Sequence, residues 1–314
     1  MRTIAGFMFA AALAASTAVA QSPETRFQSG VDLVALNVVV TDPQGRFVSG
    51  LSSPEFSVFE DGQPQDISLF DVVPAPIDLA LLLDTSSSMA DKIGTVQQAA
   101  IGFTSVVRQG DRISIVDVKD TIKVIHPLND DFASARQAIG STYARGNTAL
   151  YNGIYTTLTG LVRERAADSG IRRQAIVVLS DGADTSSVVA LDDLMDLAKN
   201  SGVAIYTITL QTTLHQRSLV TSGPAQAEAL YAMKALSSET GARAFFPAAL
   251  QELAGVYDMI AQELANQYLV GYVPKNSRRD GSYRRVDVRI DRAGVRARTR
   301  SGYKATTQSS ATTR

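Results

Sequence analysis

The stretch that decides the fold is Ile77–Asp84, with the sequence IDLALLLD, followed at once by TSSS at 85–88. An almost continuous apolar run of this length is typical of a strand buried on both faces of a sheet. Two further runs of this kind occur, at Gln174–Leu179 and Val203–Thr209. Segments with helical periodicity separate the three runs. The sequence therefore predicts an α/β fold, a doubly wound, mostly parallel sheet with helices on both faces.

Acidic and hydroxyl residues stand where the buried strands end. The first strand runs into DTSSS, which spaces Asp84, Ser86 and Ser88 two residues apart. Asp181 follows the second strand, and Thr148 opens a helix in a third loop. Ligands of doubly wound sheets bind at the carboxyl ends of the strands, so these five side chains are expected to meet there. An all-oxygen pocket of this kind suits a hard divalent cation, Mg²⁺ or Mn²⁺.

Simpler interpretations exist for single residues. Either strand-end acid alone is adequately explained as a cap of the helix that follows, so the metal interpretation depends on all five residues together. Asp184 is interpreted as a solvated loop acid rather than a residue at the rim of the site, and Asp91 as the N-cap of the first helix. The two histidines, His126 and His215, match no metal-ligand spacing and are interpreted as surface or loop residues.

At these positions relative to the buried strands, the five residues resemble the metal-ion-dependent adhesion site of von Willebrand factor type A domains. They are Asp84, Ser86, Ser88, Thr148 and Asp181. The resemblance spans roughly residues 76–266 and implies a Rossmann-like sheet that binds a protein ligand. It implies that the three hydroxyl residues ligate the metal directly, while the two acids hold coordinated waters. A coordination position is then left for an Asp or Glu carboxylate of the partner.

Segments with β alternation flank this region on both sides. GLSSPEFSVFEDG at 50–62 and NQYLVGYVP at 266–274 resemble a group of exported bacterial proteins built around a type A domain. Each flank offers about three strands, too few to bury its apolar face alone. We therefore predict that the flanks form one small accessory domain, like a β-sandwich, with the type A domain inserted between them. The competing arrangement docks the C-terminal strands on an edge of the type A sheet.

The predicted organisation begins with a signal peptide. Residues 1–20 combine Arg2, an uncharged apolar stretch and Ala18-Val19-Ala20, the pattern of a cleaved export signal, with an uncleaved membrane anchor as the alternative. A periplasmic or secreted location is expected. The remaining predicted parts are the accessory β module at 28–75 and 267–304, the type A domain at 76–266, and a disordered tail at 305–314.

Composition excludes several classes of function. The 314 residues include 30 Lys and Arg against 31 Asp and Glu, a balance that gives no global field for nucleic acid. With no Cys, the chain has no disulfide, thiolate metal site or thiol nucleophile. The stretch Lys275–Lys304 is basic, with eleven Lys and Arg against three Asp. Contact with an anionic envelope surface is one interpretation of this stretch, and a solvated sheet face is the one we favour.

These patterns predict an exported, metal-dependent protein-binding or adhesion module and not an enzyme. DTSSS lacks the second acid, two residues after the first, that aspartyl-phosphate enzymes of this architecture use. The sequence also has no P-loop and no G-x-S-x-G elbow. The alternatives are a metal-dependent hydrolase and a structural envelope protein whose metal only stabilises the fold.

Overall fold

The computed structural model describes residues 33–72, 75–168, 172–181, 184–210 and 224–305. The strands are β1 (Val34–Thr41), β2 (Phe56–Glu60), β3 (Gln63–Gln65), β4 (Ile67–Asp71), β5 (Ile77–Asp84), β6 (Arg112–Val118), β7 (Ile122–Asn129), β8 (Arg173–Ser180), β9 (Ala204–Thr209), β10 (Ala244–Phe245), β11 (Gln267–Tyr272), β12 (Tyr283–Ile290), β13 (Arg296–Arg298) and β14 (Gly302–Lys304). The α-helices are α1 (Ile93–Phe103), α2 (Phe132–Gly140), α3 (Leu150–Ala167), α4 (Leu191–Ser201), α5 (Pro224–Glu239) and α6 (Leu253–Ala265).

The central sheet has six strands in the order β10-β9-β8-β5-β6-β7. All neighbours run parallel except β7, which is antiparallel to β6 at one edge. β5 lies in the middle, with β6 on one side and β8 on the other. The direction of the crossovers therefore reverses beside β5, which places the topological switch point at its carboxyl end. This is the doubly wound α/β class that the sequence predicts.

The two faces of the central sheet each carry an apolar core. Leu79, Leu81 and Leu83 of β5 belong to the core formed with α1, α2 and α6. Ala80 and Leu82 belong to the core formed with α3, α4 and α5. Because alternate residues enter opposite cores, β5 is buried along its whole length. Burial on both faces is the reason that its sequence is an apolar run rather than an alternation.

The two flanks of the chain pair with each other outside the central sheet. One four-stranded sheet has the order β13-β1-β11-β4, and a second has the order β14-β12-β2-β3. β1 pairs antiparallel with β11, and β2 pairs antiparallel with β12. The inner faces of both sheets share one core, which includes Leu36, Val58, Val270 and Val288. These pairings support the proposed accessory domain, and its boundaries stay a prediction.

The basic stretch contributes the strand β12 to this pair of sheets. Val286 and Val288 are buried, while Arg285, Asp287 and Arg289 alternate with them and are exposed. This alternation is typical of a strand with one solvated face. Arg284 is an exception: it is 2% exposed and pairs with the buried carboxylate of Glu60 at 3.2 Å.

A buried polar network joins α6 to the flanking sheets. The carboxylate of Glu263, 1% exposed, accepts a hydrogen bond from the Tyr206 hydroxyl at 2.8 Å and pairs with Arg298 at 2.5 Å. Arg173 donates to the side chain of Gln267, the first residue of β11, at 2.8 Å. Both contacts link the central sheet to the accessory strands, and each buried charge has a partner of opposite charge or a hydrogen bond.

The dipeptide Asp61-Gly62 forms the turn after β2. Asp61 and Gly62 have φ values of 49° and 81°, the positive values that a tight hairpin turn requires. The turn leads into β3, which the alternation pattern alone did not predict. β3 is short, and Pro64 within it is tolerated because β3 lies at the edge of its sheet.

Two expectations about single residues are wrong. His126 is not a surface residue: it is 3% exposed, because β7 continues to Asn129 and pairs His126 with the buried Ile115 of β6. Asp91 does not cap the first helix. A 3-10 turn over Ser87–Met89 precedes α1, and the N-cap position falls on Lys92.

Several sequence-based expectations lie outside the described residues. These are the signal peptide at 1–20, the start of the accessory module at 28–32, the tail from 306 onward, and His215. Within the described ranges, no helix has the length and apolar character needed to cross a membrane.

The carboxylate of Asp78, at the amino end of β5, is clamped by two arginines. Asp78 is 1% exposed and accepts hydrogen bonds from Arg112 at 2.8 Å and from Arg172 at 2.7 Å. Burial opposes its ionisation, but these hydrogen bonds outweigh the burial and lower the pKa of Asp78 below its ordinary value of 3.8.

Asp78→Asn is expected to destabilise the fold by about 3 kcal/mol, because Arg172 loses its paired carboxylate and Arg112 retains its longer pair with Asp168, at 3.3 Å. A lowered folded-state pKa means that this stability is present above pH 3.8 and is lost as the pH falls through the folded pKa. Urea unfolding at pH 7 measures the loss. Asp287→Asn removes an exposed Asp–Arg pair and should cost under about 0.5 kcal/mol. Equal losses for the two variants would contradict the prediction.

Candidate metal centre

Three loops meet at the carboxyl edge of the central sheet and are joined by backbone hydrogen bonds. The loop after β5 binds the loop before α3 through Arg145 N–H to Thr85 O at 2.8 Å and Ser87 N–H to Gly146 O at 3.0 Å. The Thr148 carbonyl accepts from Thr185 N–H at 2.9 Å, which ties in the loop after β8. Because the backbones are bonded directly, the side chains that these loops carry have fixed relative positions.

Asp84 is the buried acid at the end of β5, 1% exposed. Its Oδ1 accepts from the Ser86 N–H at 2.9 Å, and its Oδ2 accepts from the Ser180 hydroxyl at 2.5 Å. The second bond crosses from β5 to β8 at the switch point. Burial raises the pKa of Asp84, the bonds from Ser180 and Ser86 oppose this rise, and the nearby charge of Asp181 adds to it.

Two serine hydroxyls lie side by side next to Asp84. Ser86 Oγ and Ser88 Oγ are 3.0 Å apart. Adjacent ligands of an octahedral Mg²⁺ with bonds of about 2.1 Å are also about 3.0 Å apart, so this spacing suits two ligands of one cation. Thr148 is 3% exposed, and its hydroxyl makes no hydrogen bond to the described residues.

Asp181 carries an unused oxygen at the same edge. Its Oδ1 is buried and has no hydrogen-bond partner among the described residues. Its Oδ2 lies 3.8 Å from the ammonium nitrogen of Lys92, which is itself 5% exposed. A buried carboxylate oxygen without a donor is costly, and a cation or a cation-bound water removes that cost. The donor set is thus one that fits a divalent cation.

Hydroxyl oxygens are essential to this candidate site. Across the described part of the chain, no three His, Asp or Glu side chains are grouped in a way that would hold a metal by themselves. A site built from two acids and three hydroxyls is consistent with that finding, and such all-oxygen sets select hard cations.

The model of the von Willebrand factor type A domain matches residues 78–258, more than half of the 314 residues. The chain belongs to the von Willebrand factor type A domain family. The family predicted from the DTSSS register is therefore confirmed. No curated protein matches the sequence.

Three solved structures are similar to this type A chain at low identity. The vWF domain of the type V pilus tip protein Mfa5 from Porphyromonas gingivalis is 15% identical, over 61% of this chain and 95% of that chain, with a TM-score of 0.47. A von Willebrand factor type A structure from Catenulispora acidiphila is 13% identical, over 89% and 74%, with a TM-score of 0.48. Proximal thread matrix protein 1 of the mussel byssus, with a zinc-occupied MIDAS motif, is 17% identical, over 64% and 48%, with a TM-score of 0.49. Scores this low carry no conclusion about the site of this chain.

A buried ion pair between Asp117 and Lys119 supports the loop after β5. Thr85, next to Asp84, donates its hydroxyl to Asp117 at the end of β6. Asp117 also pairs with Lys119 at 2.9 Å. Lys119 lies over the ring of the exposed Tyr143, 4.3 Å from its centroid. The pair is neutral as a whole, so it holds the loops in place without adding net charge to the metal centre.

Gly146 is required where two of the loops cross. It has a φ of 73°, and a Cβ built on it would lie 2.0 Å from Asp120 Oδ2. Asp120 Oδ1 in turn accepts from the N–H of Asn147 at 2.7 Å. Any side chain at this position would push Asp120 away and shift the loop that carries Thr148.

Asp184 has a definite structural role. Its carboxylate accepts from the N–H of Tyr151 at 2.8 Å and from the N–H of Ser187 at 2.9 Å. It thus satisfies a free donor in the first turn of α3 and holds the loop after β8 against that helix. Asp184 lies in a loop and is partly exposed, as the interpretation of it as a solvated loop acid expects, but its carboxylate also holds backbone N–H groups of two segments.

The five predicted site residues lie in three neighbouring loops of the structure. Asp84, Ser86 and Ser88 lie in one loop, and the loops of Thr148 and Asp181 lie beside it. Their role as metal ligands stays a prediction. Lys92 was missed, because in sequence it is one more charged residue at the start of a helix, and the fold alone brings its Nζ to the Ser88 carbonyl and to Asp181.

Proposed function

We propose that this chain is an exported module that binds a partner protein through a divalent cation, Mg²⁺ or Mn²⁺. Ser86, Ser88 and Thr148 would ligate the cation through their hydroxyls, and Asp84 and Asp181 would hold its coordinated waters. The observation that carries the proposal is the pair of serine hydroxyls 3.0 Å apart at the switch point, beside the buried Asp84 and the buried Oδ1 of Asp181. Membership of the type A family supports the same conclusion.

The chemistry of the donors explains why a partner would supply a carboxylate. Bound by neutral hydroxyls, the cation offers a Lewis-acidic centre with a coordination position left for a further ligand. Asp84 directs its two oxygens to Ser86 and Ser180, so it orients the loop. An Asp or Glu side chain is the hard, anionic ligand that such a position prefers.

A hydrolase is the second candidate, and the geometry favours it less. A general base must lie within hydrogen-bond reach of the attacking water. Within the described ranges, the histidine present is His126, which lies inside β7 and pairs with Ile115 in the middle of β6, away from the carboxyl edge. Lys92, the basic side chain at the site, donates to the Ser88 carbonyl and faces Asp181. Of the two acids, Asp84 already accepts hydrogen bonds at both oxygens, from Ser86 and Ser180, and Asp181 is the one with an oxygen left for a water. Membership of the type A family favours binding over catalysis, and we propose binding.

The third candidate is an envelope protein whose cation only stabilises the fold. The loops at the site are already joined by direct backbone bonds between Arg145 and Thr85 and between Ser87 and Gly146. Their order does not depend on a bridging cation, which favours a binding role. An exported location rests on the pattern at residues 1–20, and contact of Lys275–Lys304 with an anionic surface stays the less favoured proposal.

Thr148→Ala is expected to weaken Mg²⁺ binding about tenfold, because it removes one neutral ligand that water can partly replace. Isothermal titration of the mature protein measures the change, and circular dichroism checks the fold. Thr159→Ala is the matched control, since Thr159 lies on α3, the helix that follows the loop of Thr148, and its hydroxyl bonds the Tyr155 carbonyl at 2.9 Å. The same affinity in both variants would remove Thr148 from the site.

Capture from the native envelope fraction distinguishes a binding module from a metal-stabilised structural protein. The immobilised wild type should retain a partner in Mg²⁺ and release it into chelator. The Thr148→Ala variant should retain less of the same partner. Retention of the same proteins in chelator, with no difference between variants, would count against a metal-mediated contact.

A further inference from the structure

Lys92 is a buried ammonium inside the candidate metal centre. It is 5% exposed, and its Nζ donates to the Ser88 carbonyl at 3.0 Å. The carboxylate nearest to it is that of Asp181, with Oδ2 at 3.8 Å. Lysine is rarely buried this far unless an acid compensates its charge. The compensating acid here is one of the two acids that the proposed function assigns to the cation.

The fixed charges at the centre can be counted. Asp84 and Asp181 contribute two negative charges and Lys92 contributes one positive charge, while the three hydroxyls are neutral. Outside these six side chains, Asp117 is paired with Lys119 at 2.9 Å, and Asp184 keeps its negative charge but directs its carboxylate to the backbone N–H groups of Tyr151 and Ser187. The centre by itself therefore carries one net negative charge.

A divalent cation would leave this centre with one positive charge in excess, and one carboxylate from a partner would neutralise it. Without the charge of Lys92, the cation alone would already neutralise the two acids. Charges in a partly buried site interact strongly, so a neutral assembly is favoured over a charged one. Lys92 thus makes the partner's carboxylate part of the charge balance.

We propose that Lys92 is an internal counter-ion that weakens cation binding in the absence of a partner and couples cation binding to carboxylate binding. This inference rests on the proposed function and states how the same site is regulated. The coupling is reciprocal: the carboxylate strengthens cation binding by the factor by which the cation strengthens carboxylate binding. The free protein would hold its cation weakly, and the complex would hold it tightly.

A different role for Lys92 makes the opposite prediction. If Lys92 served to orient Asp181 toward the cation, removing it would weaken cation binding. If it repels the cation, removing its charge strengthens cation binding. The sign of the change in affinity therefore decides between orientation and repulsion.

The experiment is isothermal titration of Mg²⁺ into the mature protein, in chloride and in acetate at equal ionic strength. Acetate is the probe for a carboxylate ligand. We compare the wild type with Lys92→Met, which has a similar length and no charge, and Lys92→Arg, which keeps the charge. Lys92→Gln is a second neutral variant, and it retains a donor for the Ser88 carbonyl.

For Lys92→Met and Lys92→Gln, Mg²⁺ binding in chloride should be at least tenfold tighter than for the wild type. Acetate should tighten Mg²⁺ binding to the wild type and to Lys92→Arg severalfold, and should change it little in the two neutral variants. Weaker or unchanged Mg²⁺ binding in both neutral variants would overturn the inference. Association of Mg²⁺ with acetate in solution affects all four proteins equally, so the comparison between them is unaffected.

The outcomes also separate this inference from the proposed function. If the wild type and all variants bind Mg²⁺ with one affinity, the role of Lys92 is wrong while the metal centre stands. If neither Mg²⁺ nor Mn²⁺ binds to any of the four proteins, the metal centre is wrong, and the inference falls with it.

Discussion

A chain that ends at Asn266 is expected to lose the folded structure of β1–β4 and to keep that of the type A region. β1 pairs only with β11 and β13 among the described strands, and β4 pairs only with β11. Removing the C-terminal flank therefore leaves both strands without a neighbour. It also removes about half of the shared core, including Tyr268, Val270 and Val288. The four strands β1–β4 then keep among themselves the pairing of β2 with β3, and they cannot bury their apolar faces without the C-terminal partners.

Hydrogen exchange on the truncated chain measures this effect. Amides of β1 and β2 should exchange orders of magnitude faster than in the full chain, while β5 and β8 should keep most of their protection. The type A region should lose some stability, because Glu263 loses Arg298 and Arg173 loses Gln267. Native-like protection across β1–β4 would defeat the proposal that the flanks form one domain.

Asp84→Asn is expected to weaken Mg²⁺ binding at least about a hundredfold. It is also expected to stabilise the metal-free fold. The affinity falls because a buried unit charge facing a divalent cation is lost, and water cannot replace a charge. The metal-free fold gains stability because burial raises the pKa of Asp84, so keeping its carboxylate ionised costs free energy that Asn does not. An Asn side chain can still accept from Ser86 N–H and bond the Ser180 hydroxyl.

The sign of the stability change depends on pH. With a raised folded-state pKa, the cost of the ionised carboxylate is full above that pKa and absent below the ordinary value of 3.8. Asp84→Asn should therefore be more stable than the wild type in chelator at pH 7, and the difference should disappear on acidification. Thermal unfolding in chelator and titration of Mg²⁺ provide the two readouts. Asp258→Asn, at an exposed acid of α6, is the control and should change neither the thermal stability nor the Mg²⁺ affinity. An unchanged Mg²⁺ affinity in Asp84→Asn would exclude Asp84 from the centre.

Much of the type A region could be predicted from the sequence, because its signals are local. A strand buried on both faces has no polar side, so IDLALLLD fits no surface strand. Because DTSSS stands at the end of that buried strand, its polar side chains lie at the carboxyl edge of the sheet. The bounds of β5 agree with the prediction to the residue.

Tertiary structure decided the features that depend on partners distant in the chain. Alternation shows which face of β1 is buried, but it does not show that β11, more than 200 residues later, supplies the neighbouring edge. His126 is buried because β7 pairs it with Ile115 of β6, and Asp184 is bonded because α3 begins beside it.

Lys92 illustrates the same limit at the candidate metal centre. In sequence, it is one more charged residue at the start of a helix. Only the fold brings it beneath Ser88 and within 3.8 Å of Asp181, which follows a different strand of the sheet. Local patterns determine which residues reach the edge of the sheet. The charge balance among those residues depends on distances between segments that are far apart in sequence, and packing alone sets those distances.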